Sequence, residues 1–478
     1  MNATEHYDFA ILGGGSAGYA AARTAASLGL KTVVIDASEE LGGLCILRGC
    51  MPSKTLIESA NRNLVIQHAA EFGLNAQSAA PDTRLIRDRK RRLIGEFSSY
   101  RKEQLEDGRF ALLRGHGRFE ASSPDEIALS VNLRDGGTRQ LTAGTALIAT
   151  GSVIQPPPLP GLVECGFWTS DTILDAETIP DSFLVIGGGA IALEMAHYLN
   201  GIGRKVIVVQ RSGHLLSNMD PDVADVVQSA FERRGIKVLC NTRLLRFEKT
   251  ATGKRLILSQ EGAEISLEAE ELLIALGRRP VLDSLGLDAA SVSLAKNGQV
   301  QITPTMQTSN PRIFAAGDVC SPLEVVHLAI QQGETAAKNA AALLLKTPLP
   351  AAMDYRCKLF GVFTEPQTAA VGLSETEATA KGIPYIAATY PFNDHGKSMV
   401  MGAMEGFVKL LADPVTGTLL GGSVVGPEAT ELIHEIAVAM HLNATAAQLA
   451  TAPHYHPTLS EIWTYPAEEL ADIAASKS

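Results

Sequence analysis

One hydrophobic device occurs twice along the chain. The apolar run Phe9-Ala10-Ile11-Leu12 enters Gly13-Gly14-Gly15-Ser16-Ala17-Gly18. An alanine-rich stretch of helical character follows, and then a second run, Lys31-Thr32-Val33-Val34-Ile35-Asp36. Later, Phe183-Leu184-Val185-Ile186 enters Gly187-Gly188-Gly189-Ala190-Ile191-Ala192, again followed by a helical stretch and by Lys205-Val206-Ile207-Val208-Val209-Gln210. Short continuous apolar runs bounded by glycine mark strands buried on both faces. Each repeat therefore predicts strand, glycine turn, helix, strand, the unit of a dinucleotide-binding fold. One such motif alone is a weak signal, but two in matching context are a strong one.

The pattern changes at three places. The proline-rich segment Ile154-Gln155-Pro156-Pro157-Pro158-Leu159-Pro160-Gly161 reads as an extended spacer between the two units. Further boundaries fall near Gly277-Arg278-Arg279-Pro280 and Thr347-Pro348-Leu349-Pro350. After Ala351 the pattern becomes short alternating strands with two helical stretches, one of them around Glu428 to Leu442. Four segments result: 1–153 and 280–350 for the first nucleotide domain, 154–279 for the second, and 351–478 for a terminal domain. The fold class is α/β, with two Rossmann-like domains and an α+β C-terminal domain. Arg84 to Arg92 carries six basic residues and reads as a solvated helix face.

Composition narrows the function classes. The chain has 478 residues, long enough for about three domains. A net charge of −11 argues against a nucleic-acid footprint and against an anionic membrane surface. No apolar run approaches the roughly 20 residues of a membrane span. The first residues lack a basic, then apolar, secretory pattern, so a cytoplasmic protein is expected. Six cysteines are too few for a disulfide scaffold. In a reducing compartment a close pair is more often redox-active or metal-binding than structural.

Within each unit the glycines let backbone N–H groups approach a pyrophosphate at a helix N-terminus. An acidic residue ending the second strand accepts from the ribose hydroxyl. Asp36 holds that position eighteen residues after Gly18, and at the same spacing after Ala192 stands Gln210, followed by Arg211. Gln210 does not repel a 2′-phosphate and Arg211 can pair with one, so the second site leans to NADPH over NADH.

The close cysteine pair lies in Gly42-Gly43-Leu44-Cys45-Ile46-Leu47-Arg48-Gly49-Cys50-Met51-Pro52-Ser53-Lys54. Residues five apart in a regular helix have Cα atoms about 8 to 9 Å apart, whereas a disulfide wants less than about 7 Å. Bonding Cys45 to Cys50 therefore needs a distorted turn, which Gly49 can supply. Pro52 suits the start of a helix, which places Cys50 where the dipole favours thiolate. Metal ligation is the rival, but no second close pair completes a zinc site. Cys165, Cys240, Cys320 and Cys357 are scattered and read as inert thiols.

These residues resemble the flavin-dependent pyridine nucleotide–disulfide oxidoreductases (class I), and within them the dihydrolipoyl dehydrogenases. The likeness covers nearly the whole chain. It rests on Gly43-x-Cys45-x4-Cys50-x-Pro52-Ser53-Lys54, both glycine motifs, Leu147-Ile148-Ala149-Thr150-Gly151, Ala315-Ala316-Gly317-Asp318-Val319 and His454-Tyr455-His456-Pro457-Thr458-Leu459-Ser460-Glu461. The resemblance implies FAD in the first unit, held by Gly13, Gly15, Ser16, Ala17, Gly18, Asp36, Gly43, Thr150, Gly151 and Gly317. Asp318 matches the carboxylate on the ribityl chain, Gly117 a backbone contact to the adenosine part, and Lys54 the lysine beside the flavin. It implies NADPH or NADH in the second unit, held by Gly187, Gly189, Ala190, Ile191, Glu194, Gln210, Arg211 and Gly277. Glu194 matches the acid that pairs with Lys54.

The same resemblance implies a homodimer, with residues from about Ala351 as the dimerisation domain. By that analogy His456 serves the cysteine pair of the other subunit. Histidine suits proton transfer in thiol–disulfide exchange near neutrality, and Glu461 would orient it; His454 reads as structural. The implied activity is electron transfer between a dithiol or disulfide and NAD(P)H through Cys45, Cys50 and FAD. Dihydrolipoamide is the expected substrate, free or on a lipoyl domain of a 2-oxo acid dehydrogenase complex. Alternatives are an NADPH-dependent reductase of another disulfide or of Hg(II), and a non-turnover FAD-bearing redox sensor or complex subunit. Departures from the family pattern are Leu44 where threonine is usual and Arg48 where a small or apolar residue is usual. Arg48 reads as lowering a thiol pKa, attracting an anionic substrate or simply facing solvent. Ala190 stands where glutathione reductases have tyrosine, and the C-terminal cysteine pair of mercuric reductases is absent. The redox cysteines missing from soluble transhydrogenases are present.

Overall fold

The computed structural model describes residues 4–76 and 80–476. The chain forms two compact units, Met1–Pro52 with Asp88–Gln155 and Gly277–Asp354, and Ser53–Arg87 with Pro156–Leu276 and Tyr355–Ser478.

The first unit is built on a parallel sheet in the spatial order Ala111–Phe119, Thr32–Asp36, Glu5–Leu12, Thr138–Ile148, Ile313–Ala315. The apolar run Phe9 to Leu12 is the centre of this sheet, flanked on both edges, with Phe9 opposite Thr32 on one side and Thr145 on the other. That is why it is continuous rather than alternating: Phe9, Ala10 and Ile11 have no exposed surface. Strand Ile127–Leu133 runs antiparallel between the far halves of Ala111–Phe119 and Thr138–Ile148, closing a small meander over the sheet end. Helices Ser16–Ser27 and Val326–Leu344 cover the sheet. They pack closely because Gly333 has no side chain: a Cβ there would lie 2.2 Å from the Ala17 carbonyl oxygen.

In the second unit a parallel sheet runs Lys237–Leu239, Lys205–Val209, Ser182–Ile186, Glu271–Ile274, Trp168–Thr169. A three-stranded antiparallel sheet, Thr242–Lys249, Lys254–Gln260 and Ala263–Ala269, sits in the same chain segment. The C-terminal part carries a five-stranded antiparallel sheet in the order Leu359–Val362, Gln367–Gly372, Leu419–Gly426, Phe407–Ala412, Ile386–Pro391. Alternate residues such as Val408, Leu410 and Val424 point into a core shared with helix Ala429–His441 and the buried Trp463, whose indole donates to the Leu432 carbonyl.

Ser152–Ile154 pairs antiparallel with Arg278–Pro280, so the strands that leave and re-enter the first unit are hydrogen-bonded together. Two expectations need correction. Among the described residues the region after Ala351 holds five α-helices rather than two, namely Glu375–Lys381, Gly396–Met401, Ala429–His441, Ala446–Thr451 and Thr464–Ala475. The shortest have too few turns to show a helical period, although the Thr445–Gln448 capping box was present in the sequence. Finally, the basic segment lies on helix Thr83–Leu105, but not as one solvated face. Arg87 pairs with Glu177 at 3.1 Å and Lys90 is buried, both on the stripe that continues to the buried Ile94. Among the described residues no helix is long and apolar enough to cross a membrane.

Candidate active site

In the first unit the strand Glu5–Leu12 ends in a turn whose shape depends on missing side chains. A Cβ on Gly13 would meet the Ala149 carbonyl oxygen at 2.3 Å, and one on Gly18 would lie 1.8 Å from the Gly13 carbonyl oxygen. Space above Gly15 is open by contrast, with only the Gly43 Cα at 3.8 Å from a Cβ placed there. Helix Ser16–Ser27 begins here without a side-chain cap, which leaves its first N–H groups to a ligand. Asp36 stands at the end of the next strand, buried; its Oδ2 accepts from Gly14 N at 2.7 Å and its Oδ1 from Ser38 N at 2.9 Å. An open glycine cradle, an uncapped helix start and a carboxylate beyond them fit the pyrophosphate and ribose of a dinucleotide.

Residues distant in sequence complete this face. Asp318 Oδ2 accepts from Ser152 Oγ at 2.6 Å, and Ser152 Oγ in turn accepts from Arg278 Nε at 2.8 Å. Gly317 N donates to the buried Gln332 Oε1 at 2.8 Å, and Thr150 Oγ1 donates to the Val281 carbonyl at 2.5 Å. Gly151 has open space beside it, while Gly117 lies against Leu12 and Ile35. No sequence motif marks Ser152 or Gln332, because a lone serine or glutamine in a strand or helix carries none.

Cys45 lies in the short helix Gly43–Leu47 and Cys50 opens the helix Cys50–Gln67. The two helices do not run on: Arg48 breaks the first with φ −142° and ψ 10°. At Gly49 the backbone folds back so tightly that a Cβ would lie 3.2 Å from the Cys45 Cα. This is a distorted turn of the kind that brings residues five apart together. Both cysteines are partly exposed, as is Leu44, while Arg48 faces solvent. Cys165 and Cys320 are buried, and burial pushes their thiols and that of Cys240 above the ordinary value. Those three are poor thiolates.

The second unit repeats the cradle. Gly187 has φ +126° and its Cβ would meet the Ala275 carbonyl oxygen at 2.4 Å, whereas Gly189 has nothing within 4 Å of a Cβ and leads uncapped into helix Ala190–Gly201. Gln210 is buried against Gly188, as Asp36 is against Gly14, and its Oε1 accepts from Arg211 N at 3.0 Å. The Arg211 side chain and Ile191 are exposed, and Gly277 has open space beside it with φ +108°. The glycines therefore make different predictions. Gly187→Ala is expected to lower stability by about 2 kcal/mol through backbone strain and overlap. Gly189→Ala should fold as wild type but raise KM for the nicotinamide nucleotide about tenfold. Denaturation midpoints and steady-state kinetics of the two variants check this, and equal behaviour would contradict it.

Glu194, four residues into that helix, is buried, and both its oxygens accept from Lys54 Nζ at 2.8 Å. Phe363 N also donates to Glu194 Oε1 at 3.2 Å, and Lys54 Nζ stands 4.5 Å from the centre of the Phe363 ring. Removing the cation leaves a buried carboxylate with one donor. Lys54→Met is therefore expected to cost about 2–3 kcal/mol in unfolding free energy, less than a fully buried pair because Lys54 is partly exposed. A change below about 0.5 kcal/mol in chemical denaturation would refute that.

At the C-terminal end His456 Nδ1 lies 2.9 Å from Glu461 Oε2 and 3.1 Å from Oε1. The imidazole is 77% exposed and Glu461 only 11%, so a buried carboxylate orients a ring whose other nitrogen is open. His454 is tied elsewhere, to Glu435 at 2.6 Å and to the Ala452 carbonyl at 2.9 Å. Glu461 has a further neighbour, the buried His395. Among the described residues no cluster of His, Cys, Asp and Glu is arranged to hold a metal ion.

Comparison with known proteins agrees along the full length. Residues 7–333 match the pyridine nucleotide-disulphide oxidoreductases, and residues 360–467 match the dimerisation domain of the same family. A dihydrolipoyl dehydrogenase of Bacillus subtilis is 33% identical over 467 residues, spanning 96% of each chain. Another, from Thermus scotoductus, is 35% identical over 468 residues, spanning 97% of each. Among solved structures, LpdA from Mycobacterium tuberculosis superposes with a TM-score of 0.87 at 28% identity, over 98% of this chain and 100% of that one. The family works with FAD and a nicotinamide nucleotide. Its dimerisation domain, present here, supports a homodimer. With two dinucleotide cradles, a cysteine pair around a glycine turn and that domain in one chain, the protein belongs to the pyridine nucleotide-disulphide oxidoreductase family and is a disulfide oxidoreductase.

Proposed function

We propose that the chain oxidises a dihydrolipoyl group, free or carried on a lipoyl domain, and delivers the electrons to a nicotinamide nucleotide. The observation that carries this is the Gly49 turn, which folds the chain between Cys45 and Cys50 back on itself at a helix start. End-to-end similarity to dihydrolipoyl dehydrogenases supports the choice of dithiol. Six cysteines are too few for a secreted disulfide scaffold, and we place the protein in the cytoplasm on that ground.

In this reading His456 of the partner subunit takes a proton from the incoming thiol, with Glu461 holding the ring by its Nδ1. The substrate thiolate attacks Cys45 Sγ of a Cys45–Cys50 disulfide, and the S–S bond breaks with Cys50 leaving as thiolate. The second substrate thiol then displaces Cys45 from the mixed disulfide, closing the substrate's own disulfide and leaving two reduced cysteines. A position at the helix start lowers the cost of the Cys50 thiolate. Bound FAD supplies the two-electron relay from that dithiol to the nicotinamide nucleotide. Gly13 to Gly18, Asp36, Thr150, Gly151 and Asp318 would hold FAD in the first unit. Gly187, Gly189, Gln210 and Arg211 would hold the nicotinamide nucleotide in the second.

A second reading, reduction of another disulfide or of Hg(II) by NADPH, is favoured by one observation. The buried ribose position holds neutral Gln210 and is followed by the exposed cation Arg211. A steady-state panel separates the two. Dihydrolipoamide, glutathione disulfide, a small aliphatic disulfide and Hg(II) would each be assayed with both nicotinamide nucleotides. Dihydrolipoamide is expected to give a kcat/KM at least about a hundredfold above every other substrate. Inertness towards dihydrolipoamide alongside turnover of another member would overturn the proposal.

A further inference from the structure

The His456–Glu461 pair has a third member that no motif marks. Glu461 sits in the turn Ser460–Trp463, and its two oxygens face two different imidazoles. His456 Nδ1 lies nearest Oε2 at 2.9 Å, while Oε1 lies 3.4 Å from Nε2 of His395. His395 leads into the short helix Gly396–Met401 and has no exposed surface. Its Nδ1 lies 2.8 Å from Ser398 Oγ, itself buried. His395 Nε2 is shielded from water and has no hydrogen-bond partner among the described residues. A buried polar atom of this kind is costly unless a partner closes on it, and the carboxylate oxygen is the group in front of it.

We infer that His395 is a positioning residue for the proton acceptor: it donates Nε2–H to Glu461 Oε1 while His456 donates Nδ1–H to Oε2. This rests on the proposed role of His456. The tautomer follows from the neighbours, since Ser398 Oγ–H can donate to Nδ1 and leave the proton on Nε2. At 3.4 Å the second bond is long, and a small rotation of the carboxylate shortens it, as expected for catalytic contacts that tighten on substrate binding.

The arrangement has two consequences. With both oxygens engaged the carboxylate keeps one rotamer, so the His456 ring stays aimed. Glu461 also faces a second donor, so its charge is not given to His456 alone. His395 does not compete for the proton. Burial holds it below the ordinary histidine value, and nearby His456 adds to that, against the opposing pull of Glu461. The other titratable groups around this cluster are engaged separately. His454 pairs with Glu435, and Tyr465, edge-on to His395 at 6.4 Å, stacks on Tyr390, whose hydroxyl donates to Asp394.

The test compares His395→Leu with His395→Gln in the FAD-loaded dimer. Two readouts are followed: the pH profile of dihydrolipoamide oxidation and the ring titration of His456 by histidine-selective NMR. For the leucine variant kcat should fall about tenfold with KM within about twofold. The acid limb and the His456 titration should move up together by about one unit. Glutamine presents an amide N–H to Oε1 and should stay within about threefold of wild type, with little movement of either. Equal behaviour of the two variants, or a His456 titration that does not move, would overturn the inference. If the leucine variant loses its flavin, His395→Asn replaces it, since its amide is one methylene shorter than that of glutamine. His456→Gln serves as the separate control. If it remains fully active, the proposed role of His456 fails; if it is inactive while His395→Leu shifts nothing, only the positioning role fails.

Discussion

Cys45→Ser is expected to lower dihydrolipoamide oxidation by about 10⁴-fold or more while the purified protein keeps its flavin. A serine hydroxyl offers no sulfur for the substrate thiolate to attack and no disulfide to break, so the first covalent step is lost rather than slowed. Flavin retention is expected because the first cradle is shaped by Gly13, Gly18 and Asp36, with Ser152 and Asp318 completing its face, and the thiol takes no part in those contacts. Cys50→Ser should abolish turnover to the same degree but differ in one respect. Cys45 remains as a nucleophile, so the variant should still form a mixed disulfide with an activated disulfide reagent, seen as a mass increase. The Cys45→Ser variant should not label at Cys50 with comparable speed. Activity of Cys45→Ser above about one percent of wild type would remove the cysteine pair from the mechanism.

His456→Gln is expected to cost about 10²- to 10⁴-fold in kcat/KM for the dithiol, the range for loss of a positioned acid–base group. The sign of its pH dependence is also set. In the proposed mechanism dithiol oxidation requires His456 unprotonated, so the wild-type rate should fall on the acid side. Without His456 the substrate thiol must ionise alone, so the residual rate should keep rising with pH on the alkaline side. Because a homodimer is expected to pair each cysteine site with the partner's histidine, mixing gives a decisive readout. Cys45→Ser and His456→Gln are each expected to be nearly inactive as homodimers, but every mixed dimer would contain one intact site. Random exchange should then restore about a quarter of wild-type activity. No recovery after verified subunit exchange would place the histidine in its own subunit's site or outside the reaction.

Both predictions draw on parts of the protein that were unequally legible in its sequence. The two strand–glycine–helix units could be read directly because their physics is local. Phe9 to Leu12 and Phe183 to Ile186 are continuous apolar runs since neighbours cover both faces of each strand. The glycines that follow are fixed by clashes with backbone atoms, as at Gly18 with the Gly13 carbonyl. The correspondence of Asp36 and Gln210 came from counting alone, and the structure gives them the same seat, each against the middle glycine of its turn. Short helices after Ala351 were not legible, since six or seven residues hold fewer than two turns of any period. The inward stripe of Arg87 and Lys90 was hidden because charge alone says nothing about which face a helix turns to its neighbours.

By itself, then, the sequence determined the repeated dinucleotide device, the cysteine pair with its glycine, and the residue types available for acid–base work. Each depends on interactions within one turn or one strand, where spacing and sterics are sufficient. The Glu194–Lys54 pair, across 140 positions, was expected only through the family resemblance, and only the tertiary structure decided that Ser152 carries Asp318 across 166 and that His395 lies beside the carboxylate that meets His456. Those pairings depend on which surfaces bury each other, and burial is what makes a carboxylate seek a partner. No spacing rule carries that information, because the cost of an unpaired buried charge arises only after the chain has packed.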